Sequence, residues 1–170
     1  MSFLANVVST AQGSIYVPKS VRKGDLWDEL TQAVRTGSIH IGFASEAEPI
    51  ETYEEDIRSG MHALNQTYSM GGKLRFYHSK SERSAKPVIN VTVREMNRFA
   101  YQDGNNVYIH PEVIHHFPSV VAHEVGHQIF GPGHHLLTNK DCIMHASGYN
   151  PKLCNLHKKR LEEFLHQATD

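Results

Sequence analysis

No apolar run in the chain approaches the ~20 residues that a membrane-spanning helix needs, so no such helix is expected. Neither sign of charge dominates. The formal net charge is −1, so nothing points to nucleic acid or an anionic membrane as a partner. Cysteine is scarce, with two residues in 170, so the chain is not a disulfide scaffold. Residues 1–12 carry no basic n-region and only a short apolar patch, which argues against a secretory signal and for a reducing, cytoplasmic setting. Low-complexity segments and internal repeats are also missing. A hydrophobic content of 39% in 170 residues is enough for one domain with a proper core.

Histidine is plentiful instead, with 13 residues, and the densest stretch is His123-Glu-Val-Gly-His-Gln-Ile-Phe-Gly-Pro-Gly-His-His135. On a helix, His123 and His127 stand one turn apart on the same face, where two imidazoles can share one zinc ion. Glu124 lies between them, placed to take a proton from water rather than to bind metal. Gly131-Pro132-Gly133 is a strong turn signal that stops the helix and reverses the chain. His134 follows as a third ligand. Three protein ligands and an open fourth position describe a catalytic zinc site rather than a closed structural one. Val121, Val125 and Ile129 recur at i, i+4 and i+8 on roughly the opposite side, a face built for burial.

Upstream, helix and strand signals alternate. Residues 1–24 read as an irregular lead-in with one short strand, Ser14 to Val17. Asp25 to Thr36 reads as a helix, with Leu26, Leu30, Ala33 and Val34 on one stripe, Trp27 beside it and Gly37 as the stop. Ile39 to Ala44 alternates like a strand. Thr52 to Met70 reads as a second helix, burying Tyr53, Ile57, Met61, Leu64 and Tyr68. Leu74 to His78 and Pro87 to Val93 read as strands joined by a polar loop. Phe99 to Gln102 and Val107 to His110 flank Asp103-Gly104-Asn105-Asn106, a hairpin signal. The expected fold is α/β, a mixed twisted sheet with two backing helices, an active-site helix and a small C-terminal helical lobe. Residues 1–130 would form an N-terminal subdomain and 131–170 a small C-terminal one, within a single catalytic domain. The Val107 to His110 strand is expected on the sheet edge beside the cleft, where it could pair with an extended peptide.

Four further metal-type side chains lie downstream: His135, Cys142, Cys154 and His157. Cys154 and His157, at i and i+3, suit one turn of a helix that carries Leu153, Leu156, Leu161, Phe164 and Leu165 on its inner side. With His135 and Cys142 they could close a tetrahedral structural zinc site and brace a lobe of only ~40 residues. A Cys142–Cys154 disulfide and two free thiols are the competing readings.

The run HEVGHQIFGPGHH followed by Cys142-Ile143-Met144 resembles the metzincin metallopeptidases, whose signature is HExxHxxGxxH with a downstream Met-turn. Among these it is most similar to the archaemetzincins. The resemblance covers about residues 120–165. It implies that His123, His127 and His134 hold a catalytic zinc, that Glu124 is the general base and that Met144 is the Met-turn residue beneath the metal. His135, Cys142, Cys154 and His157 stand where that family has the four cysteines of a second zinc. This chain has one residue more between His127 and Gly131, and two of the four cysteines are histidines here, which alters the softness and pKa of the site.

The implied activity is hydrolysis of a peptide or protein substrate, with a zinc-activated water and a glutamate general base. A catalytically inactive zinc-binding module is the alternative. Tyr149 stands five residues past Met144, further than the oxyanion-steadying Tyr of some metzincins. His145, beside Met144, reads more simply as a surface histidine than as a pocket residue. His110, His115 and His116 are expected to flank the cleft entrance without chemistry. Gly126 leaves room for close packing near the metal.

Overall fold

Strand alternation builds the sheet. Ile39 and Ile41, Phe76, Ile89, Val91 and Val93, and Val107 and Ile109 are all buried, while the residues between them are half-buried or exposed. Period-two patterning turns one face of each strand toward helices. A computed structural model gives the structure, describing residues 8–9, 15–16, 27–79, 86–130, 134, 140–146 and 150–169. The expected helix start at Asp25 and Leu26, the turn Gly131-Pro132-Gly133, most of the polar loop after Ser79, His135 and Tyr149 lie outside the described residues.

A two-stranded antiparallel ladder, β1 (Val8–Ser9) with β2 (Ile15–Tyr16), precedes helix α1 (Trp27–Thr36). Then come β3 (Ser38–Ser45), a short 3-10 turn (Ile50–Tyr53), α2 (Glu54–Tyr68), β4 (Arg75–His78), β5 (Ile89–Val93), β6 (Ala100–Asp103) and β7 (Asn106–Ile109). Three helices complete the chain: α3 (Pro111–His116), α4 (Val120–Phe130) and α5 (Asn155–Thr169). The main sheet has the order β4-β3-β5-β7-β6, parallel throughout except for the antiparallel β6–β7 pair. It is the expected mixed sheet.

The β6–β7 hairpin corrects one expectation. Val107 to His110 was placed on the edge, yet β7 runs between β5 and β6, and β6 is the edge strand. The two-residue turn Gly104-Asn105 is the reason: it folds β6 back along the free side of β7. A second difference is α3, which separates β7 from α4. Its signal was present in the sequence: Pro111 opens the helix, and the His110 side chain caps it by accepting from the Glu112 N–H at 3.1 Å.

Helices α2 and α4 lie against each other, α2 also on β4 and α4 on β6 and β7. Gly60 makes that approach possible, since a Cβ there would stand 3.0 Å from Val121 Cγ2 and 3.1 Å from the Pro118 carbonyl. Of the stripe read from the sequence, Tyr53, Ile57, Leu64 and Tyr68 are buried, whereas Met61 is only half-buried because it lines a cavity against β3, β4 and β5 together with Ile57. Helix α1 packs on β3 and α5, and α5 also touches α4. No helix among the described residues is long and apolar enough to cross a membrane.

The other edge strand, β4, is guarded by a side chain. Asn65 of α2 donates to the Phe76 carbonyl at 3.0 Å and accepts from the Phe76 N–H at 2.8 Å, standing in for a neighbouring strand at one residue. Replacing Asn65 with Ala leaves both backbone groups without that partner. The expected loss is about 1–3 kcal/mol, seen as a lower denaturant midpoint at unchanged slope. A midpoint equal to wild type would show that water replaces the amide at no cost.

Candidate metal centre

Helix α4 is buried nearly all round. Every residue from Val120 to Phe130 except His127 is buried, including His123 and Glu124 at 4% and 7% exposure. Val121, Val125 and Ile129 face the core as their spacing indicated. The opposite face is not a solvent face, as a simple amphipathic pattern suggests, but is roofed by the chain around residues 134 and 140–146. His127 and His134 are both half-buried, so the three-histidine cluster opens to solvent on their side.

The structure brings together the three histidines expected as one set. Ring centroids lie 4.9 Å apart for His123 and His127, 5.0 Å for His123 and His134, and 4.7 Å for His127 and His134. One nitrogen from each falls within 4.8 Å of the others. The extra residue before Gly131 therefore does not displace His134.

Hydrogen bonding assigns the His123 tautomer. Its Nδ1 lies 2.5 Å from the Ile143 carbonyl, which can only accept, so Nδ1 carries the proton and Nε2 keeps its lone pair. That Nε2 is 3.1 Å from Nε2 of His134. Two nitrogens on a tetrahedral zinc at ~2.0–2.1 Å would be about 3.3 Å apart, so the donor set fits the ion.

Burial also sets the charges. It lowers His123 to a pKa of about 4, against a rise from the Ile143 hydrogen bond, with His134 lowering it further. His134 is likewise brought to about 4, by burial first and then by His127 and His145. Neutral imidazoles are what a metal requires. Glu124 is raised to about 7 by burial, tempered by the guanidinium charge of Arg98. Arg98 is exposed just ahead of β6.

Beneath α4 sit Met144, fully buried, and Tyr68 of α2. Tyr68 donates its hydroxyl to the Ala122 carbonyl at 2.5 Å, immediately before His123. Gly126 leaves the space for both: a Cβ there would overlap Met144 Sδ and stand 2.6 Å from the Tyr68 oxygen. Gln128 reaches the other way, donating to the Gly104 carbonyl at 2.6 Å and tying the hairpin turn to α4.

A second cluster gathers Cys142, Cys154 and His157, with one ligand atom from each within 4.8 Å of the others. His157 Nδ1 lies 3.5 Å from Cys142 Sγ and 3.3 Å from Cys154 Sγ, against about 3.6 Å for sulfur and nitrogen on one tetrahedral zinc. The thiols are not joined in a disulfide. Cys154 stands just ahead of α5 rather than inside it, and its sulfur accepts from the His157 N–H. A hydrogen bond with Cys154 and then burial hold the Cys142 thiol well above its usual pKa.

The remaining histidines divide. His145, read from the sequence as a surface residue, is buried at 7% exposure and close enough to His134 to lower its pKa, because the Cys142–His145 turn folds it inward. His115 faces Asp56 of α2 at 3.3 Å, and His116 stacks edge-on to it. Both are exposed on α3. Tyr68, Gln128, Arg98 and the Ile143 carbonyl were missed. Tyr68 stood in the sequence only as the last member of an apolar stripe, and nothing local marks a partner 54 positions away.

Replacing Gly126 with Ala should force Met144 and Tyr68 apart, a cost of about 1–3 kcal/mol from overpacking, measurable as a lower Tm of the metal-free protein. An unchanged Tm would mean that the two side chains relax freely.

Acid should also weaken the metal-free fold. The folded pKa values of His123 and His134 lie below the unfolded value of 6.5. The unfolded chain therefore binds more protons, and stability falls as pH drops from about 6.5 toward 4. Glu124, raised from 4.5 to about 7, pulls the other way between those values. Glu124→Gln should then steepen the loss, as thermal melts across this range would show. A slope equal to wild type would count against a buried, protonated Glu124.

No protein-family model matches the chain, and no curated protein matches it in sequence. A similar solved structure is the crystal structure of archaemetzincin from Methanopyrus kandleri. It aligns at a TM-score of 0.53 and 14% sequence identity, over 78% of this chain and 98% of that one. At that identity the likeness concerns the fold, and the five-stranded mixed sheet with its helices is an archaemetzincin-like fold.

Proposed function

We propose that the chain is a zinc-dependent metallopeptidase. The observation that carries the reading is the convergence of the His123, His127 and His134 imidazoles, with the Glu124 carboxylate in the same helical turn. His123, His127 and His134 would hold a zinc ion, which when bound would supply Lewis acidity toward the scissile carbonyl and toward water.

The chain's own groups do the rest. Glu124 takes the proton of the attacking water and returns it to the leaving amine. Burial raises its proton affinity to the neutral range that shuttling needs, and Arg98 keeps it from rising further. Ile143 fixes the His123 ring, and Met144 and Tyr68 support the helix from below. A peptide substrate would lie along β6, the edge strand, through main-chain hydrogen bonds. Phe99, exposed at 75%, leads into that strand beside Arg98 and suits an apolar peptide side chain.

A second, structural zinc would be held by Cys142, Cys154 and His157, with His135 as the fourth ligand. We infer a cytoplasmic setting and a peptide or protein substrate, with no nucleic-acid or membrane partner.

Zinc stoichiometry and cleavage of a peptide library test this together. Wild type should bind two equivalents and cleave. His123→Ala should lose one equivalent and all cleavage. Glu124→Gln should keep both and cleave about 10²–10⁴-fold more slowly. Zinc bound without cleavage by wild type would overturn the peptidase reading in favour of an inactive zinc-binding module.

A further inference from the structure

The two ligand clusters are joined by three consecutive residues. Cys142 belongs to the cysteine cluster, the Ile143 carbonyl holds Nδ1 of His123, and Met144 fills the space at Gly126. The backbone of Ile143 is held on the other side of its Cα as well, its N–H donating to the Lys152 carbonyl at 2.7 Å, two residues before Cys154. The Cys154 N–H in turn donates to Cys142 Sγ at 3.4 Å. A second contact runs in parallel: the buried His157 ring packs edge-on against Phe130, the last residue of α4, at 4.6 Å. The cysteine cluster therefore reaches α4 at Phe130 directly and at His123 through the neighbouring Ile143 carbonyl.

We propose that metal at the Cys142–Cys154–His157 cluster controls how tightly the three-histidine site binds its own metal, by holding the Ile143 carbonyl on Nδ1 of His123. The inference rests on the two-metal reading above and adds a linkage between the sites. Ligation fixes both sulfurs against His157 and so locks the Cys142–Met144 turn. The Ile143 carbonyl then keeps the His123 ring in its Nδ1–H tautomer, aimed with Nε2 at the centre. Without that metal the contacts of the two thiols with His157 and with the Cys154 N–H are hydrogen bonds to sulfur at 3.3–3.5 Å, weaker than metal–ligand bonds, and the hold on the carbonyl loosens. Loss of an outer hydrogen-bond partner of a metal-bound His lowers metal affinity about 10–100-fold. Thermodynamic linkage requires the effect to act in both directions.

Cobalt titration of the metal-free protein separates the sites, because sulfur-to-cobalt charge transfer reports the cysteine cluster alone. In Cys154→Ser, cobalt affinity at the three-histidine site should fall about 10–100-fold. Cys154→Asp, which keeps an anionic ligand, should restore part of it. In His123→Ala, cobalt at the cysteine cluster should weaken by a similar factor. This arm also stands in for Cys154→Ser should that variant fail to fold. The downfield imidazole N–H proton of His123 should appear in two-metal wild type, loaded with zinc, and vanish in Cys154→Ser. Affinities within about twofold of wild type in both variants, below the usual range of coupling, would overturn the linkage and leave the peptidase reading intact. Wild type binding only one equivalent would overturn the second metal site and the linkage with it, and cleavage would then decide the peptidase reading separately.

Discussion

Helix α4 has to be buried and still present ionisable groups. His123 and Glu124 are nearly excluded from water, and a charge in such a place is costly unless it is neutralised or paired. Both residues answer by shifting toward their neutral forms, the imidazole losing its proton readily and the carboxyl holding on to its own. The low dielectric that imposes the cost also makes each remaining contact count. The Ile143 carbonyl orients the ring, and the Arg98 guanidinium tempers the acid.

Much of the surrounding structure serves that burial. Gly60 lets α2 approach α4, and Gly126 lets Met144 and Tyr68 close in from below. The Tyr68 hydroxyl meets the Ala122 carbonyl just before His123, which ties the backing helix to the histidine face of α4. Gln128 ties the same helix to the β6–β7 turn. The edge strand thereby keeps a fixed relation to the histidine cluster, a requirement for any site that must set a backbone amide against a reacting centre.

The downstream segment does more than close the domain. His134 returns to α4 although the spacing after His127 is one residue longer than the resembling signature. The Cys142–His145 turn supplies a thiol, a carbonyl, a thioether and an imidazole in four successive residues, facing two clusters at once. So short a bridge leaves little slack between the two clusters, and backbone hydrogen bonds at Ile143 and His145 shape the turn.

The sequence by itself determined the periodic and the adjacent. The His123–His127 pair of α4 and its apolar opposite face, most of the stripe of α2, the strands of the main sheet, the hairpin and the return of His134 to the cluster were legible, because spacing within one element fixes which side chains share a face. Tertiary structure decided what depends on partners far along the chain: that β6 rather than β7 takes the edge, that His145 turns inward, that Asn65 guards β4, and that Tyr68, Arg98 and the Ile143 carbonyl attend α4. Hydrogen bonds and burial across such separations follow from packing geometry, which local pattern does not encode.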